Sequence, residues 1–166
     1  MKEIHTTNGR IHKVDDEDYE RVIGFPWYED SKGYARYKKT INGKRTVFFL
    51  HRVVTNAPPG QWVDHRNCDR RDSQKQNLRF ASPGENAQNA RKFAKGTSPY
   101  KGVSYDRKAP TSLCVWKSRI RKRLPNRKDL LWSARFENER HAALAYDLWA
   151  HDLHGEFARP NFQRAT

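Results

Sequence analysis

The chain has 166 residues, 33 Lys and Arg against 19 Asp and Glu, and a formal charge of +14, a size for one ordinary domain or two small ones. The charge favours a polyanionic partner, because each phosphate neutralised releases condensed counterions. A membrane span, a secretory leader, a disulfide framework and a structural zinc site are not expected. No apolar run reaches roughly 18 residues, and Cys68 and Cys114 form no CxxC pair, so a reducing, cytoplasmic setting is expected.

In chain order, residues 1–50 read as short strands joined by turns. Asn8-Gly9 and Asn42-Gly43 each suit a tight hairpin turn, the second between strands at 33–40 and 45–50. Between them Asp15-Asp16-Glu17-Asp18 opens a helix that runs into residues 19–23. Such an acidic start reads first as a solvated helix end, with a metal site as the lesser alternative. A short helix at 50–55 ends at Ala57-Pro58-Pro59-Gly60. A strand at 61–65, a polar loop at 66–76 and a strand at 77–81 follow. Ser82-Pro83-Gly84-Glu85 is a capping box with Pro at the first helical position, and the helix is expected to reach about Phe93. Residues 94–99 read as a linker, dividing the chain into units at 1–93 and 100–166.

The second unit is the more basic. From Ala90 to Lys128 there are 13 basic residues opposed only by Asp106. Strands are expected at 101–107, 113–123 and 129–136, with a turn at Pro125-Asn126-Arg127. Asn138 then caps a helix to about His154, stopped by Gly155. Ala142, Ala145, Tyr146, Trp149 and Leu153 make its apolar stripe. Strand alternation puts Trp116, Ser118 and Ile120 on a core face, and Lys117, Arg119, Arg121 and Arg123 on an exposed cationic one. That row suits phosphates or a groove. An ordinary solvated face that keeps the sheet from aggregating is the bland alternative. Five Trp and 12% aromatic residues supply bulk for two small cores.

The chemistry concentrates in residues 63–89, VDHRNCDRRDSQKQNLRFASPGENAQN. Phosphodiester hydrolysis needs a base for water and neutralisation of the charge growing on phosphate and leaving oxygen. His65 is a base for neutral pH. The Asp64 carboxylate and the Asn86 amide oxygen suit a hard cation, Mg2+ or Mn2+. Adjacent strand residues face opposite ways, which divides the labour between Asp64 on metal and His65 on water. Asn77 can tie the 66–76 loop, and Arg66, Arg70 and Arg71 read as phosphate contacts. His51 stands either as a structural histidine or as an accessory site residue. Asn89 is a helix-surface or phosphate-contacting residue.

These motifs resemble two families. DH, the polar loop, NLR and the asparagine-bearing helix, with Leu50-His51-Arg52 upstream, look like the HNH nucleases, specifically the phage and intron-type homing endonucleases, over about residues 45–90. The resemblance implies a ββα-metal fold, Asp64 and Asn86 as metal ligands, His65 as general base and Asn77 as loop brace. It also implies double-stranded DNA as substrate, 5′-phosphate and 3′-hydroxyl products, and work in the cytoplasm of a bacterial host. One site cuts one strand, so a monomer suffices for nicking. The family loop reads DHxNG, whereas Cys68 stands at the glycine, where a positive φ is costly for a side chain. Residues 98–162 resemble the Apetala/ethylene-response-factor DNA-binding domain through YKGV, Trp116-x-x-x-Ile120, AAxAYD and Asn161-Phe162. That implies a three-stranded antiparallel sheet packed on one helix, with Lys101, Arg121 and Trp132 at contact positions. Here Ser133-Ala134 replaces the family's LG, and Ser104 and Asp106 stand where arginine is common. An α+β nuclease followed by a DNA-docking sheet is the resulting expectation. A DNA-binding regulator with an inactive nuclease unit, or an RNA-binding protein, is the alternative.

Overall fold

The computed structural model describes residues 1–92, 96–109, 115–124 and 128–162. They form mixed α and β structure in two compact units, Met1–Asn86 and Ala87–Thr166. Among the described residues no helix is long and apolar enough to cross a membrane.

The first unit begins with strands β1 (Lys2–His5) and β2 (Ile11–Val14), paired antiparallel around the Asn8-Gly9 turn. Helix α1 (Asp16–Val22) carries the acidic start, but Asp15 does not cap it. Its carboxylate instead accepts the Lys75 backbone N–H at 2.7 Å and Gln74 Nε2 at 3.2 Å. Buried Asp18 pairs with Arg21 at 2.6 Å and Lys75 at 3.2 Å, so this acidic run anchors a loop. A three-stranded sheet follows: β3 (Tyr28–Glu29), β4 (Ala35–Ile41) and β5 (Lys44–Phe49). Asn42 and Gly43, at φ 49° and 73°, supply the two positive values that match a tight turn to strand twist. Helix α2 (Leu50–Val54) leads to the pair β6 (Trp62–His65) and β7 (Leu78–Ala81), antiparallel with Asp64 opposite Arg79. One core holds the unit: Ile4, Val14, Val22, Trp27, Leu50 and Val54 are almost wholly buried, and Trp27 Nε1 donates to the Val22 carbonyl at 2.8 Å.

Helix α3 (Pro83–Asn89) starts on the expected box. The Glu85 N–H donates to Ser82 Oγ at 3.2 Å, and the Ser82 N–H to the Glu85 carboxylate at 2.7 Å. It ends at Asn89, short of Phe93, which lies outside the described residues. The division into units falls within α3, upstream of the segment read as a linker. A physical reason is visible in the second unit, where Lys101 Nζ donates to the carbonyls of Gln88 and Ala90, binding the end of α3 to the YKGV segment.

Strands β8 (Val103–Tyr105), β9 (Trp116–Lys122) and β10 (Leu130–Phe136) form an antiparallel sheet in the order β10-β9-β8. β8 is shorter than expected because Lys101-Gly102 forms a turn. The expected turn at Pro125-Asn126-Arg127 lies outside the described residues, as do Leu113 and Cys114. Helix α4 (Glu139–His154) is capped by Asn138, whose Oδ1 accepts from the Arg140 and His141 N–H groups at 2.7 and 3.4 Å. Its buried face includes Ala142, Tyr146 and Leu153 as expected, but also Ala143 and Ala150. Ala145 and Trp149 are only half-buried. The alanines let the helix lie close to the sheet. Gly102, at φ 74°, is where they meet most tightly, since a Cβ there would sit 2.0 Å from the Tyr146 ring.

Candidate active site and nucleic-acid interface

Asp64 and His65 end β6, where alternation sends them to opposite faces. Arg79, directly across the ladder, brings Nε and Nη2 to 2.9 and 2.8 Å from Asp64 Oδ2. Both residues are buried, at 5% and 8% exposure, so the pair works in a low dielectric. Sequence reasoning did not single out Arg79. The signal was present, because an antiparallel pairing of two four-residue strands around DH and NLR sets 64 against 79.

His65 lies with its ring centroid 5.1 Å from that of His51 and 6.0 Å from that of Tyr34. Burial pushes the His51 imidazole down to about 3, helped by neighbouring His65 and Arg52. Burial likewise pushes His65 down to about 4, opposed by the Asp64 carboxylate. Both rings are therefore neutral at pH 7. His51 packs at the end of the hairpin against Tyr34 and Phe49 as well as against His65.

The loop between β6 and β7 is irregular but heavily bonded. Asn77 Oδ1 accepts the Asn67 N–H at 3.0 Å, its Nδ2 donates to the Asp72 carbonyl at 2.7 Å, and its own carbonyl accepts the Arg66 N–H at 2.8 Å. Cys68 adopts φ 60°, the left-handed value that glycine would take freely, and its N–H donates to the His65 carbonyl at 2.9 Å. The far side of the loop is docked on the amino-terminal strands. The Lys13 N–H donates to the Arg71 carbonyl at 2.7 Å, and the Ser73 N–H to the Lys13 carbonyl at 2.8 Å. Arg71 is bidentate on Glu29, at 2.6 and 2.8 Å, and His12 Nε2 lies 3.1 Å from the same carboxylate. Glu29 was invisible to local sequence reading, since it reaches across 42 positions.

A cavity of about 410 Å³ opens beside His51, lined also by Tyr34, Phe49, Gln61, Trp62, Val63 and Asn86. Asn86 thus shares a wall with His51, while Asp64 is the strand neighbour of Val63. Among the described residues no group of three or more His, Cys, Asp or Glu gathers as a metal cage. As donor types, the Asp64 carboxylate and the Asn86 amide oxygen suit a cation that keeps most of its water, which is the habit of Mg2+. The donor chemistry fits such an ion.

The remaining candidate contacts divide. Arg66 and Arg70 are exposed, with Arg70 Nη1 donating to the Lys32 carbonyl at 2.6 Å and its guanidinium 4.7 Å over the Tyr34 ring. Arg71 is engaged by Glu29, and Asn89 is buried at 2% exposure rather than on the helix surface. In the second unit Arg119, Arg121 and Arg123 are exposed and Lys117 half-exposed. Arg121 Nε donates to Asp129 at 2.6 Å, and Lys101 is occupied by the two carbonyls that end α3. Trp132 is a correction in placement. It pairs with Ile120 across β9 and β10 and meets Trp149 of α4 edge-on at 6.3 Å, on the core face opposite the cationic row.

No protein-family profile matches the chain. Over 143 residues, 84% of its length, the chain is 28% identical to an uncharacterized HNH endonuclease of Acanthamoeba polyphaga mimivirus, covering 68% of that protein. Among solved structures, the HNH homing endonuclease I-HmuI, described in a study of DNA binding and cleavage, aligns with 52% of this chain at 22% identity and a TM-score of 0.34. The alignment takes in 46% of that chain, so less than half of its length is represented.

Proposed function

We infer that this chain is an HNH-type DNA endonuclease that hydrolyses phosphodiester bonds with one divalent ion, Mg2+ or Mn2+, and leaves a 5′-phosphate and a 3′-hydroxyl. The observation that carries this reading is His65 buried at the end of β6, next to buried Asp64 and followed by a loop that Asn77 ties at both ends. Sequence similarity to an HNH endonuclease supports it independently.

In the proposed reaction the His65 imidazole takes a proton from the attacking water, which its neutral form permits at pH 7. Asn77 holds the backbone around it, and Arg79 orients the Asp64 carboxylate. Asp64 and Asn86 are the residues that would hold the ion, which when bound supplies charge stabilisation to the phosphate and the departing 3′ oxygen. His51 packs against His65 and limits its rotation. Arg66 and Arg70 would meet backbone phosphates on the duplex. The exposed row of Lys117, Arg119, Arg121 and Arg123 would dock DNA in the manner of an Apetala/ethylene-response-factor sheet. A monomer of this kind nicks, as a homing-type enzyme acting on cytoplasmic DNA can.

The test is plasmid nicking with Mg2+ and with chelator, for wild type and His65→Ala. Nicking that needs the ion and is lost in the variant is expected. Binding of plasmid without cleavage by wild type would leave a DNA-binding protein instead.

A further inference from the structure

The cavity beside His51 has features that phosphodiester hydrolysis does not require. Its size, about 410 Å³, lies in the roughly 300–1,000 Å³ range of small-molecule sites, whereas a scissile phosphate needs only an open cleft. Its walls are aromatic: Tyr34, Phe49 and Trp62 all line it. Trp62 is the unusual one, with 50% of its surface exposed. The cross-strand neighbour is Ala81, too small to cover an indole. A large apolar ring left bare at a cavity mouth is a cost unless something planar covers it.

The polar groups are equally specific. Gln61 Nε2 donates to the carbonyls of Trp62 and Ala81 at 3.0 and 3.2 Å, which fixes the side-chain amide, and its Oε1 accepts no hydrogen bond among the described residues. Arg52 donates to the carbonyls of Ala57 and Pro58 at 3.3 and 2.9 Å, and to that of Gln61, so the wall carrying Gln61 is stiff. Arg70 stacks over Tyr34, one of the lining rings, and brings a second positive charge to that residue. Aromatic faces, one fixed acceptor and flanking cations match a nucleotide: a base to stack, an exocyclic amine or ring N–H to bond, and phosphates to neutralise.

We propose that this cavity binds one unpaired nucleobase of the DNA strand, stacked on Trp62 and bonded at its edge by Gln61. Such a pocket would hold the nucleotide beside the bond that the nuclease reading assigns to His65, and its role in cutting rests on that reading. Its binding chemistry does not. Extruding a base costs duplex energy, so local unpairing would favour engagement.

The measurement is equilibrium binding, without divalent ions, of a short single-stranded oligothymidylate and of an equally long abasic oligomer with the same phosphates. Backbone contacts cancel between the two probes. Wild type is expected to prefer the base-bearing strand about tenfold, the scale of one base stacked on an aromatic ring. Trp62→Ala should abolish the preference and Trp62→Phe retain part of it, with thermal melts confirming that both fold. Equal affinity of wild type for the two probes, or an undiminished preference in Trp62→Ala, overturns the proposal. Base-dependent binding in a protein that fails to nick plasmid would sustain the pocket while removing the nuclease reading.

Discussion

The two units each pin an irregular segment with polar bonds, and the second adds a steric lock. In the first, the 66–76 loop is held by directed polar bonds: Asn77 from within, and Lys13, Asp15 and Glu29 from the amino-terminal strands and α1. In the second, the turn at Lys101-Gly102 is held by shape, with the Tyr146 ring against a bare Cα, and by Asn161, whose side chain brackets Lys101 at 2.6 and 3.1 Å. Asp147 in turn fixes the Asn161 and Phe162 N–H groups at 2.7 and 2.9 Å. The contrast teaches that a loop meant to present charged and titratable groups is tied by partners for those groups. A segment that seats a helix on a sheet is tied by close packing at its glycine in addition to such polar bonds.

Breaking the polar side hardest means removing Arg79. Arg79→Ala leaves Asp64 buried without its cation, and a loss of about 3–5 kcal/mol is expected in a urea melt. A loss below 1 kcal/mol would show that water reaches Asp64. The steric counterpart is Gly102→Ala, which combines positive φ with a clash against Tyr146. About 2–4 kcal/mol is expected, read most directly in near-ultraviolet circular dichroism from Trp116, Trp132 and Trp149. Retention of wild-type stability would mean that α4 can retreat from the sheet.

Asn77→Ala sharpens the contrast at one residue. It strands the Asn67 N–H and removes the donor to Asp72, for about 1–3 kcal/mol, and hydrogen exchange should quicken at residues 66–73. An acid titration tests the docking of the same loop. Burial lowers the His12 pKa below 6.5 despite the facing Glu29 carboxylate, with Arg71 adding to the effect. The unfolded chain therefore binds the extra proton first as pH falls. Stability is complete above about 6.5 and declines as pH drops toward the folded pKa. The slope should flatten in His12→Gln; an identical slope would assign it to other groups. The smallest effect is expected at Cys68, where glycine relieves φ 60° at an entropic cost. Cys68→Gly should stabilise by about 0.5–1 kcal/mol, measured by thermal melt.

Some elements were legible because their causes are local. Asn42-Gly43 demands positive φ, Ser82 and Glu85 satisfy each other within one turn, and Asn138 caps its own helix. Alternation in β9 put Ser118 and Ile120 inside and Arg119 and Arg121 outside, as found. Other features were not legible. The α4 stripe was expected to include Ala145 and Trp149; Trp149 does pack on the core against Trp132, and close approach to the sheet also buried Ala143 and Ala150. Trp132 was read as a contact, yet register with Ile120 turned it inward.

The sequence by itself determined most of the strands, the Asn42-Gly43 turn, the Ser82 and Asn138 caps, the basic balance, and the position of Asp64, His65, Asn77 and Asn86 on elements adjacent in the chain. Each of these depends on interactions within a few residues or on composition. Tertiary structure alone decided that Arg79 shares burial with Asp64, that Glu29 receives Arg71, that His51 meets His65, and that Trp62 stays bare beside a cavity. Those outcomes depend on which surfaces close on one another over tens of residues, where pairing register and packing, rather than propensity, set the partner.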